Sequence, residues 1–220
     1  MDYVLAEKPD LIALTGDFVH KGFTHVQAVA HTLRRLHAPL GVYAVLGNHD
    51  FSVRNALGVR RYPRLYRAIS DALTENGVTV LRNQSVTVER DGQHLHVCGL
   101  DDLWGRECDP VKTFAGLDPN TPRIVLAHNP QSTYLCDEQR VDLMLSGHTH
   151  GGQIDWPGLG RFVLGKHAKR LAAGLYRMGD DRWLYVSKGV GFGFRFRFNV
   201  RPEVAFITLS ATESIRSESV

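Results

Sequence analysis

Asp17, Asn48, His49, Asp50, His128, His148 and His150 are the side chains of this chain whose types and settings suit metal chemistry. Each follows closely on a short apolar run. Leu11-Ile12-Ala13-Leu14 leads into Thr15-Gly16-Asp17, and Val42-Tyr43-Ala44-Val45-Leu46 leads into Gly47-Asn48-His49-Asp50. Ile124-Val125-Leu126-Ala127 leads into His128-Asn129-Pro130, and Leu143-Met144-Leu145 leads into Ser146-Gly147-His148-Thr149-His150-Gly151-Gly152. One carboxylate, one amide and several imidazoles make a mixed oxygen and nitrogen ligand field. Such a field suits Mn, Fe, Zn, Co or Ni better than Ca or Mg, which prefer oxygen alone. A carboxylate can bridge two cations through its two oxygens. Two cations about 3.5–4 Å apart can polarise a phosphoryl group and activate water against it.

The elements that must position these groups can be read from periodicity. The four apolar runs suit strands buried on both faces. Between the first two, Val26, Val29, Ala30, Leu33 and Leu36 form a helical stripe that ends before Pro39. After the second, Leu65, Ile69, Ala72 and Leu73 form another stripe, closed by Asn76-Gly77. Residues 131–139 suit a short helix. Alternation of strand and helix predicts crossover units, and ligands of such sheets gather beyond the carboxyl ends of the strands. Glycines 16, 47, 147, 151 and 152 fit tight turns there. The middle reads differently: Val86 and Val88, then Asp91-Gly92, then Leu95 and Val97, spell a hairpin. Further strands are expected at Gly174–Met178, Trp183–Ser187 and Val204–Leu209. The predicted fold is mixed α/β: two packed mixed β-sheets flanked by helices.

Bulk properties set bounds. A chain of 220 residues, 43% hydrophobic and 22% charged, suits one globular domain, expected over 1–209 with a disordered tail over 210–220. A net charge of +3 gives no reason to expect nucleic acid. Three cysteines without a CxxC pair argue against a disulfide framework and favour a reducing compartment. No apolar run is long enough to span a membrane. The expected location is cytoplasmic or peripheral at an inner membrane.

Taken together, GDF (16–18), GNHD (47–50), His128 and GHTH (147–150) resemble the ordered motif series of calcineurin-like metallophosphoesterases. The downstream GGQI (151–154), GLY (174–176), VSKGVG (186–191) and RPEVAFITL (201–209) resemble the small bacterial phosphodiesterase branch. The resemblance implies a four-layer sandwich and hydrolysis of a phosphodiester or pyrophosphate bond by hydroxide activated between two divalent cations. It implies a phosphorylated small-molecule or lipid-linked substrate, with peripheral membrane contact as an option. By the same resemblance Asp17 bridges the cations, Asn48, His128 and His148 complete the second cation's shell, and His150 serves the first. His49 assists the leaving group and Asp50 orients His49. The family opens with a strand bearing Asp-x-His, and no such motif precedes Asp17. Residues 1–8 read as the end of the helix that follows that strand. The first strand and two ligands of the first cation are therefore expected to be missing, with a gap in the sheet and an exposed edge. A natural one-metal variant is the alternative. Two rival functions follow: a catalytically impaired metal-binding remnant, and, ranked lower, a protein phosphatase.

Other features have plain structural readings. Asp17 alone could cap a helix, His128 could be a core histidine, Asn48 a turn residue, and His148 and His150 a solvated pair. His94 and His96 share one strand face and are read as the hairpin's polar side rather than a rival metal site. Phe194-Arg195-Phe196-Arg197-Phe198 alternates as an edge strand with solvated arginines, or else as a rim meeting an acyl chain and phosphate. Lys166, His167, Lys169 and Arg170 form a basic loop. Cys98 is expected in the core.

Overall fold

The computed structural model describes residues 1–55, 57, 59–157, 170–191 and 196–210. Three parallel strands form a small sheet in the order β1 (Ile12–Leu14), β2 (Val42–Ala44), β3 (Thr79–Val80). Six form a larger one: β4 (Gln84–Arg90), β5 (Gln93–Leu100), β6 (Arg123–Ala127), β7 (Leu143–Ser146), β9 (Trp183–Val186) and β8 (Gly174–Arg177), in that spatial order. The β5-β6-β7-β9 core of this sheet is parallel and both outer pairs are antiparallel. The mixed character expected of both sheets therefore belongs to the larger one alone.

Side-chain alternation decides the layers, since successive residues of a strand face opposite sides. Val42 and Ala44 turn outward onto α2 (Val26–Leu33) and α3 (Leu65–Glu75), meeting Ala30, Leu65, Ile69 and Leu73. Tyr43 and Val45 turn inward and pack with Val97, Ile124 and Leu126 of the other sheet. Cys98, Val125 and Ala127 face away on that sheet's far side, against Phe114 of α4 (Pro110–Phe114) and Cys136. The result is four layers: helices, sheet, sheet, and short helices. α4 has Asp109 at its N-cap, accepting from the Lys112 N–H at 3.0 Å. The segment expected to be helical over 131–139 is a 3₁₀ helix over Pro130–Leu135, capped by Asn129.

One edge departs from expectation. Residues 204–209 form no strand. They run beside the smaller sheet with Val204, Phe206, Ile207 and Leu209 each about half exposed. Across from them, β1 pairs with β2 alone among the described strands. Between the two lies a groove of about 2520 Å³ whose walls include Leu11, Ala13, Leu145, Val204 and Phe206 and whose end reaches Asp17 and His150. Tyr3, on α1 (Asp2–Ala6), meets Phe206 edge-to-face at 5.7 Å. An apolar segment with no neighbouring backbone at ladder distance cannot form a strand, whatever its propensity.

His96 also differs from the solvated face expected of it. It is buried, and its Nδ1 lies 2.9 Å from the Thr87 hydroxyl across the hairpin. His94 is exposed. Cys98 is fully buried. Lys166, His167, Lys169, Phe194, Arg195 and the tail over 211–220 lie outside the described residues.

Candidate functional site

The carboxyl ends of β1, β2, β6 and β7 deliver their polar clusters to one corner. The loops after β1 and β2 touch so closely that neither can hold a side chain at the crossing. A Cβ on Gly16 would lie 2.5 Å from the Gly47 nitrogen, and one on Gly47 would lie 2.2 Å from an Asp17 carboxylate oxygen. The backbone is also held in a costly conformation at the residues with chemistry. Asp17, His148 and His150 have φ of 61°, 68° and 50°, in the left-handed region that side-chain-bearing residues rarely occupy. Such strain persists only where surrounding contacts over-determine it, and it gathers at functional sites.

Those contacts can be named. The buried Asp50 carboxylate accepts four main-chain N–H bonds: from Asp17 at 2.8 Å, Phe18 at 2.9 Å, Val19 at 3.2 Å and Gly47 at 2.9 Å. It staples the two loops together. Both of its oxygens are taken by backbone donors. Burial and the nearby Asp17 charge push the Asp50 carboxyl up, to about 7, while the N–H donors pull the other way. His49 instead places Nδ1 3.0 Å from the His20 carbonyl, and its ring stacks on the His20 ring with centroids 4.9 Å apart.

Four donor groups then meet. His128 Nδ1 donates to the Thr15 carbonyl at 2.6 Å, which turns Nε2 inward to 3.3 Å from Asp17 Oδ2. Asn48 donates its Nδ2 to the Val53 carbonyl at 2.7 Å, which aims Oδ1 at His148 Nδ1, 2.9 Å away. His148 Nδ1 lies 3.2 Å from His128 Nε2. The other Asp17 oxygen accepts the His49 N–H at 3.0 Å. Separations of this size are the edge lengths between ligands that share one cation at about 2.0–2.2 Å. Among the described residues, no three His, Cys, Asp or Glu side chains by themselves form a metal-holding cluster. The convergence needs the Asn48 amide as a full member.

The titratable groups at this corner perturb one another. Burial pushes the Asp17 carboxyl up, but His128, His49 and His148 outweigh it and hold the group well below the usual carboxylate range. His128 is pulled down by burial and more strongly up by Asp17, to about 9. His148 is held down to about 3, first by burial and then by the His128 charge. His150 is also lowered, by burial first, and is near enough to Asp17 to feel its charge. A carboxylate set among imidazole nitrogens and an amide oxygen is a donor set chemically suited to a divalent cation.

Three contributors were not legible beforehand. Trp104 packs edge-on against His148 with centroids 4.5 Å apart. Asp102 is buried with Oδ2 accepting the Gly105 N–H at 2.6 Å and Oδ1 unpartnered. Both follow β5, which pairs parallel to β6, so its carboxyl end faces the same corner. Reading that strand only as half of a hairpin hid Asp101-Asp102-Leu103-Trp104. His20 is the third. Arg197, by contrast, is not offered to phosphate. Its guanidinium donates to the carbonyls of His150, Lys188, Gly189 and Gly191, tying the loop after β9 to the His148–His150 turn.

Comparison with known proteins gives the family and the fold. Residues 1–152 match the family model described as calcineurin-like phosphoesterase. The chain is 36% identical over 206 residues to the phosphodiesterase YaeI of Escherichia coli, covering 93% of this chain and 72% of that one. It is 30% identical over 244 residues to the UDP-2,3-diacylglucosamine pyrophosphatase LpxG of Chlamydia trachomatis, covering 90% and 73%. Among solved structures, the NAD nucleotidase of Haemophilus influenzae shares the fold at a TM-score of 0.50 and 15% identity, covering 85% of this chain and 37% of that one.

Proposed function

We propose, because the chain belongs to the calcineurin-like phosphoesterase family and is thereby a hydrolase of phosphoric ester bonds, that its reaction is metal-dependent cleavage of a phosphodiester or pyrophosphate bond. The observation that supports this best is the run of contacts from four separate strand ends, Asp17 to His128 at 3.3 Å, His128 to His148 at 3.2 Å and His148 to Asn48 at 2.9 Å. These residues would hold one cation, with Asp17 shared toward a second near His150. When bound, divalent cations supply charge that polarises the phosphoryl group and acidifies water.

The chain's own residues do the rest. Asp50 and the Gly16–Gly47 contact hold the Asp17 loop. Thr15 and Val53 fix which atoms His128 and Asn48 present. Trp104 shields one side of His148 from water. His49 stands beside the cluster, where its free ring edge is placed to give a proton to the departing oxygen. The relative named for a lipid-linked sugar nucleotide supports a substrate of that kind, met at a membrane surface. Among the described residues, no helix is long and apolar enough to cross a membrane.

The groove beside β1 belongs to the same reading. Among the described residues β1 pairs with β2 alone, and the groove along its other edge has room for an extended segment. The open groove is also what favours the rival reading, a metal-binding chain with impaired turnover.

Hydrolysis of bis-p-nitrophenyl phosphate in Mn²⁺, compared among native protein, Asp17→Ala and His148→Ala, tests the proposal. Loss of activity by at least about a hundredfold in both variants is expected, and equal rates in all three would refute it. One bound cation without turnover in the native chain would favour the impaired reading. Preference for phosphopeptides over diesters would favour a protein phosphatase.

A further inference from the structure

His49 is held by a residue that none of the motifs contains. His20 lies three residues beyond Asp17, in the stretch whose main-chain N–H groups at 17, 18 and 19 are gripped by Asp50. That grip fixes where the next carbonyl, that of His20, is found. His49 Nδ1 lies 3.0 Å from this carbonyl, which can only accept, so Nδ1 is the protonated nitrogen. The two imidazoles stack at 4.9 Å with 28° between their planes. A ring's hydrogen bond alone leaves it free to rock about that bond, because its terminal torsion is broad. The stack removes the rocking. His20 is exposed, while Asn48 and Asp50 on either side of His49 are buried, so the stack forms at the mouth of the site.

We infer that His20 is a positioning residue for His49: its carbonyl fixes the Nδ1 edge, its ring fixes the plane, and the Nε2 edge is thereby presented to the leaving group. The inference rests on the hydrolytic reading of the site given above. It also restores, through an intermediary, the link expected between Asp50 and His49. Asp50 orders residues 17–19, these place His20, and His20 places His49.

The test is a leaving-group series. Native protein, His20→Ala, His20→Phe and His49→Ala would be assayed on aryl and alkyl diesters in Mn²⁺, with melting temperature and Mn²⁺ affinity measured alongside. General acids matter most where the leaving group is poor, and their full contribution is about a hundredfold or more. His20→Ala should lose about tenfold or more in kcat on alkyl diesters and far less on p-nitrophenyl diesters. Its slope against leaving-group pKa should move toward that of His49→Ala, with KM and Mn²⁺ affinity unchanged. His20→Phe keeps a flat ring over His49 and should recover most of the lost rate. A uniform loss across the series would overturn the inference, as would a His20→Phe variant no better than His20→Ala. If the native chain hydrolyses diesters and His20→Ala matches it throughout, the positioning role alone fails. If the native chain hydrolyses none, the hydrolytic reading fails and this inference falls with it.

Discussion

The carboxyl end of β1 and its open edge lie a few residues apart and are built to opposite standards. At the end, Asp17 is locked by Asp50, His49 and the Gly47 contact, in a backbone conformation that side-chain-bearing residues avoid. Along the edge, apolar residues from β1 and from 204–209 face a broad groove with no backbone of the described residues between them. In the proposed reading the two cation positions therefore differ in preparation. The shell built from Asp17, Asn48, His128 and His148 is assembled by contacts that lie wholly within this chain. The surroundings of His150 open onto the groove.

The largest effect should come from breaking the locked end where it has least room. Gly47→Ala puts a methyl 2.2 Å from an Asp17 oxygen and 2.6 Å from its main-chain nitrogen. Neither atom belongs to a flexible chain end, so the loops must part. A loss of about 3 kcal/mol in denaturant unfolding is expected, together with loss of Mn²⁺ uptake. Asp50→Asn comes next. An amide can keep one oxygen as acceptor, but its NH₂ then faces main-chain donors. The expected cost is about 2–3 kcal/mol, with a fall in turnover larger than the fall in metal affinity. An Asp50→Asn variant as stable and active as the native chain would show that the staple is dispensable.

Asp102 allows a pH test of the same corner. Burial is the main cause that pushes its carboxyl up to about 6. The unfolded chain releases that proton near pH 4, so between about 4 and 6 the folded state holds a proton that the unfolded state has lost. The contribution of Asp102 to native stability therefore falls as pH rises through this window, by up to about 3 kcal/mol, and stays lowered above it. Asp102→Asn removes the penalty. It should gain stability relative to the native chain at pH 7.5 and show no gain at pH 4, measured by paired denaturant curves. Equal differences at both pH values would contradict the assignment.

The smallest effect should come from the open edge. Phe206→Ser replaces a large apolar side chain, yet that ring is 46% exposed. The change should cost no more than about 0.5 kcal/mol. Leu126→Ala, at the fully buried interface of the two sheets, should cost about 2–5 kcal/mol. A large loss at Phe206 would mean that the edge is already packed, and the contrast between end and edge would fail.

Much of the locked end was legible in the sequence because each donor sits at the end of an uninterrupted apolar run, and such runs announce buried parallel strands. The helices α2 and α3 announced themselves by stripe. What escaped depended on partners rather than on local pattern. β3 has two residues and is defined only by pairing with β2. Residues 204–209 have the composition of a strand but no neighbour to pair with among the described residues. The Asp102–Trp104 loop was missed because β5 pairs one way with β4 and the other way with β6. His20 has no distinguishing neighbour in sequence, since what marks it is the ring of a residue 29 positions away. Arg197 alternates as a solvated strand arginine would, but four carbonyls of two loops claim its donors.

The central claim is that four side chains from separate strands share a cation. Crystals soaked in Mn²⁺ and measured for anomalous scattering test it most directly. The account predicts a peak within bonding distance of Asp17, Asn48, His128 and His148 that disappears in Asp17→Ala. A map empty at that corner, or a peak only at some other cluster, would contradict it.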